Sequence, residues 1–149
     1  MKQLLKKVTT TTAGFDVLPL RIGVGSIFIA HGSQKLFGWF GGHGLDGAAS
    51  WMASIGLTPG ILMATLAGSA EFFGGLLLIM GLLVRPAAVV LAVTMVVAIA
   101  MVHLQNGLFL ANNGYEFGLA LLVVVLCLVF RGAGSVSADR ILHAKLVRE

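Results

Sequence analysis

Residues 60–84 read GILMATLAGSAEFFGGLLLIMGLLV, an apolar run of bilayer-spanning length interrupted by a single charge, Glu71. A spanning helix needs about 20 such residues. A carboxylate near mid-membrane costs roughly 2.5–3.5 kcal/mol on insertion scales, so it is expected to face a partner, a cavity or a ligand rather than lipid. Ala67, Gly68, Gly74 and Gly75 fall three or four residues from it, on its own helical face. Small residues let a neighbouring helix come close, so Glu71 is expected to point into a bundle. It is the first candidate functional residue.

Three further apolar stretches flank this one, at about 17–37, 86–103 and 113–130. The 149-residue chain is 58% hydrophobic and only 11% charged, with mean hydropathy +0.98, whereas a soluble domain carries about 25% charged residues. The expected fold is therefore an all-α integral membrane protein, a single domain over 1–149, with four transmembrane helices in an up-down bundle. Thr58-Pro59 and Arg85-Pro86 place a proline where a helix begins, and the second and third spans are left with so short a link that they form an antiparallel hairpin. The last run, Phe117 to Phe130, is too short to span alone. Its helix is expected to start near Asn112 or Asn113, which draws Glu116 into the first turns.

Lys2, Lys6, Lys7, Arg85, Arg131, Arg140, Lys145 and Arg148 all fall on one side of this arrangement. By the positive-inside rule the N and C termini are cytoplasmic, and 38–58 and 104–115 face outward. The net charge of +4 is mostly this asymmetry; it suits anionic lipid and gives no case for nucleic acid. The start of the chain resembles a secretory signal, but Arg21, His31 and Lys35 interrupt the apolar run and no small-x-small site follows, so a retained first helix is expected. A single cysteine, Cys127, excludes an intramolecular disulfide, a CxxC pair or an iron–sulfur cluster held by this chain alone.

Within the first outer loop, Asp46 to Ile55 reads as a short helix with Trp51, Met52 and Ile55 on one side, an interfacial lipid anchor in preference to a lid. The tail 135–149 sets Ile141, Leu142 and Leu146 on one face among charges, as an inner interfacial helix would. Helix direction places His31, Lys35, His103 and Glu116 in one leaflet, with Glu71 nearer the middle. His31 and Lys35, four apart, share a face.

Two readings of these groups stay open. Lys35 pairs with Glu71 or Glu116 while the histidines bond to Gln105, Asn106 or Asn113, giving specificity without chemistry; or the cluster takes a ligand. Haem on His31 and His103, or a metal on these with Glu71 and Glu116, is the weaker form of the second, because the local ligand spacing of such sites is missing. No Walker loop, dinucleotide fingerprint, Ser/His/Asp set or HExxH pattern occurs.

The order Arg21-Ile-Gly23, His31-Gly-Ser-Gln-Lys35-Leu-Phe-Gly38, Gly68-Ser-Ala-Glu71-Phe-Phe-Gly74-Gly75 and Gly81-Leu-Leu-Val-Arg85-Pro86 resembles the DoxX family. His103, Gly114-Tyr-Glu116 and Arg131-Gly-Ala-Gly134-Ser-Val-Ser137-Ala-Asp139 continue the likeness, so that it covers Leu18 to Arg140; Ala133 departs from it, where a proline commonly stands. The resemblance implies a small multi-pass protein of the bacterial-type inner (plasma) membrane, in a family named for a subunit of quinone-linked sulfur oxidation. Its relatives are associated with oxidoreductase complexes in redox stress. What it implies here is the membrane subunit of a redox complex, with a quinone in the outer half of the bundle. Glu71 and Glu116 would then act catalytically as proton relays, and Arg21, His31, Lys35 and His103 would bind ligand; no metal is assigned. A partner protein would deliver electrons, and a homo-oligomer is compatible. The alternatives are a small proton-coupled carrier or permease, and a membrane scaffold without a ligand.

Overall fold

A computed structural model describes residues 2–148, without the side chain of Arg148; Met1, Glu149 and that arginine's charge, included in the reading above, lie outside the described residues. Seven α-helices run in the order α1 Lys2–Thr9, α2 Leu18–Phe37, α3 Gly44–Ser54, α4 Gly60–Met80, α5 Val84–Ala98, α6 Glu116–Arg131 and α7 Ala138–Arg148. No strand occurs among the described residues. Two of the rods, Gly60–Met80 and the continuous Val84–Asn106, are long and apolar enough to cross a bilayer. The outer surface agrees with that solvent. Val93, Val96, Val123 and Phe130 are each more than half exposed, an apolar girdle that a soluble monomer would hide.

α2 and α4 form the tightest pair, and glycine is the reason. Gly25 lies against Gly75, and Gly32 lies against Gly68 and Phe72, two crossings seven residues apart on antiparallel helices. A Cβ on Gly32 would stand 2.5 Å from the Phe72 backbone nitrogen, and one on Gly75 would stand 2.6 Å from the Gly25 carbonyl oxygen. The backbones are thus in direct contact, as small residues permit between membrane helices. α5 and α6 pack beside this pair through Leu91, Met95, Leu121, Val125 and Leu128, which with Val24, Phe28 and Leu78 make the core.

The turn between α4 and α5 is only Gly81 to Leu83, with both Gly81 (φ 67°) and Leu83 (φ 49°) left-handed. Two buried charges from distant parts of the chain hold it. Arg21, 1% exposed, donates to the α4 carbonyls of Leu78 (2.8 Å) and Ile79 (3.0 Å) and to those of Ala133 (2.5 Å) and Val136 (2.8 Å). Asp139, also 1% exposed, accepts from Leu83 N (2.7 Å) and Val84 N (3.0 Å), capping α5. One side chain therefore satisfies the orphan carbonyls of a helix end and the other the orphan amides of the next helix start.

The same end collects the remaining base of the molecule. α1 packs against α7, with Thr9 Oγ1 3.3 Å from His143 Nδ1. Arg85 donates to Thr10 O and Phe130 O, each at 3.1 Å, and Arg131 pairs with Asp16. α1 is a helix that was not assigned from the sequence, where its lysines were used only for their charge.

Two boundaries correct the sequence expectation. α4 ends at Met80 rather than at 84, because the chain turns left-handed at Gly81 and Leu83. α6 begins at Glu116, not near Asn112 or Asn113. Leu110–Asn112 is a separate 3-10 turn and Asn113 is left-handed (φ 59°), which ends any helix there.

Candidate functional site

The end opposite Arg21 opens into a cavity of about 730 Å³ between α2, α3, α4, α5, the start of α6 and the segment preceding it. Most of its wall is apolar, including Phe28, Met63, Leu66, Val93, Val97 and Phe117. α3 closes one side with Trp51 and Met52. This helix is fixed rather than loose, since Gly60 at the start of α4 rests directly on the Ala49 carbonyl. Met52 itself is buried. This short helix is thus a wall of the cavity.

Polar groups enter from two directions. From α2 and α4, Lys35 Nζ meets Glu71 Oε2 at 2.7 Å, with the glutamate side chain 5% exposed and the lysine side chain 24%. The glycine seam sets this pair, for a Cβ at Gly68 would lie 3.3 Å from Lys35 Cβ and push the helices apart. His31, one turn before Lys35, lines the same wall and makes no hydrogen bond among the described residues. From the other direction comes His103, at the end of a π-helical stretch, Ile99–His103. Its Nδ1 lies 2.9 Å from the Asn113 carbonyl oxygen, which Asn106 Nδ2 also approaches at 3.2 Å.

Of the six residues singled out from sequence, His31, Lys35, Glu71 and His103 line the cavity. Arg21 and Glu116 are not brought to it. Arg21 lies fourteen residues before Lys35, about 21 Å along α2, with its donors committed to backbone carbonyls. Glu116 Oε1 accepts from Leu110 N at 2.5 Å and braces the loop that carries Asn113. Among the described residues no three His, Cys, Asp or Glu side chains gather as a metal would require, so the His31, His103, Glu71 and Glu116 set is not assembled.

An ion pair in an apolar cavity with two histidines at its edge suits an amphiphile that has a ring bearing hydrogen-bonding oxygens and an apolar body. Trp51, Met52 and the Asn113 carbonyl complete the site and were not assigned to it from sequence. The tryptophan's helical face was the available signal, whereas nothing in the sequence marks a particular backbone carbonyl.

A model of the DoxX family matches residues 17–104. An uncharacterized protein of Haemophilus influenzae is 35% identical over 127 residues, covering 80% of this chain and 85% of that one. The Bacillus subtilis protein named "Putative oxidoreductase CatD" is 33% identical over 111 residues, covering 74% and 76%. The Mycobacterium tuberculosis protein named "Uncharacterized membrane protein Rv3486" is 32% identical over 135 residues, covering 84% and 80%. No solved structure matches the chain.

Proposed function

The chain belongs to the DoxX family, and from that premise we propose that it is the membrane subunit of a quinone-linked redox complex in a bacterial inner membrane. In this reading α2, α4, α5 and α6 are its four spans, both termini are cytoplasmic, and the cavity lies in the outer half. The observation that carries it is the buried Lys35–Glu71 pair at 2.7 Å in the wall of a cavity about 730 Å³ in volume and lined mostly by carbon. Intramembrane charges facing a cavity mark ligand or proton paths. The oxidoreductase name of the Bacillus subtilis relative points the same way.

A quinone, when bound, supplies two-electron, two-proton chemistry at its ring oxygens. Lys35 holds positive charge beside the site, favouring an oxygen that gains electron density. Glu71 is placed to exchange protons with it, and His31 offers a ring nitrogen on the same wall. The apolar lining excludes water and accepts an isoprenoid body. The electrons come from a partner redox protein. Glu116 serves the site through the loop that it braces.

The test is the quinone content of protein extracted into native nanodiscs, measured by solvent extraction and mass spectrometry. Wild type is expected to carry close to one quinone per chain, and Glu71→Gln to lose most of it. Wild type without quinone would overturn the reading and leave a proton-coupled carrier or a scaffold.

A further inference from the structure

We infer that His103 presents its unprotonated Nε2 to the cavity, so that the site selects a ligand with a hydroxyl donor, and binds the quinol in preference to the quinone. This rests on the quinone-site reading above and adds which redox form the site favours. A carbonyl oxygen can only accept, so the 2.9 Å contact with Asn113 O requires Nδ1 to carry the proton. In the neutral ring the other nitrogen is then an acceptor. The Nδ1 edge is turned to the loop, which leaves the Nε2 edge for the cavity that the residue lines.

The tautomer is fixed by a loop built before any ligand arrives. Asn113 is held left-handed at φ 59°, a conformation asparagine tolerates better than most residues. Its amide donates to Leu110 O at 2.8 Å, and Leu110 N in turn donates to Glu116 Oε1 at 2.5 Å. Asn106 Nδ2 takes the second lone pair of the same carbonyl. Asn113 and Glu116 are thus positioning residues for His103. The π-helical stretch ending at His103 is a further mark, since π turns in helices cluster at functional sites.

A quinone oxygen has no proton to give to Nε2 and would meet it lone pair to lone pair. A phenolic O–H would donate to it. The other polar wall does not favour either form, because Lys35 donates, Glu71 accepts, and His31, with neither ring nitrogen bonded among the described residues, can do either. His103 therefore decides between them. A buried hydrogen bond made by one form and denied to the other is worth roughly tenfold in affinity. For a two-electron couple that would raise the bound midpoint potential by about 30 mV.

The experiment uses the full chain in nanodiscs, titrated with ubiquinol-1 under reducing conditions and with ubiquinone-1. Nitrogen-15 NMR of the histidine rings is recorded on the unliganded protein, with His103 assigned by difference from His103→Gln. Wild type is expected to bind the quinol about tenfold more tightly. His103→Leu is expected to bring the ratio near one with little change for the quinone, and His103→Gln, which keeps an acceptor, to restore part of it. His103 should show a protonated Nδ1 and a bare Nε2. Equal binding of both forms by wild type overturns the inference and leaves the quinone site standing, whereas binding of neither overturns both. A protonated Nε2 in the spectrum overturns the inference even if the leucine variant fails to fold.

Discussion

The two ends of this bundle handle buried charge in opposite ways. At the base, Arg21 and Asp139 are each 1% exposed, and every hydrogen bond that each side chain makes goes to backbone. At the cavity, Lys35 and Glu71 are bonded to each other. A side chain that satisfies backbone cannot be deleted harmlessly, because the carbonyls and amides stay behind. A side-chain pair can be removed as a unit. The base is therefore structural in a sense that the cavity is not, although Arg21 interrupts an apolar run in the sequence just as Lys35 and Glu71 do.

Arg21→Ala should have the largest effect. Four carbonyls lose a charged donor, each such bond contributing roughly 1.5–3 kcal/mol, so the loss should reach about 4 kcal/mol or more. Thermal unfolding in nanodiscs reads it, and adding Asp139→Ala should deepen the loss rather than relieve it. Lys35→Met comes next, at about 3 kcal/mol, the low end for an orphaned buried charge, because the lysine is 24% open. Here the double variant Lys35→Met/Glu71→Leu should recover to within about 1 kcal/mol of wild type, as removing a whole buried pair is often neutral. A double variant no better than the single would erase the distinction between the two ends. Asp139→Asn is the mildest, at about 1 kcal/mol, since it keeps one capping oxygen for α5.

Much of this was legible in the sequence. The run 60–84 places α4 and Glu71 directly, because length and apolarity are local properties. The small residues beside Glu71 correctly indicate that it faces a neighbour, and Gly68 is one that lets Lys35 approach. The role of Arg21 was not legible. Its partners lie 57 to 115 positions along the chain, and they are main-chain carbonyls with no signature of their own. Asp139 was hidden for the same reason, being visible only as part of a family resemblance. Glu116 misleads because a hydropathy count extends α6 backward to reach spanning length, whereas the left-handed Asn113 stops it.

The π-helical stretch Ile99–His103 carries a consequence of counting. A π turn holds one residue more than an α turn in the same place, and each residue of an α-helix advances the azimuth by about 100°. Were the stretch to close into regular α-helix with every residue kept, position 103 would swing about a quarter-turn or more from its present bearing, whereas removing one residue would close it and keep that bearing. The aim of the histidine is thus written in the number of residues before it as much as in their identity.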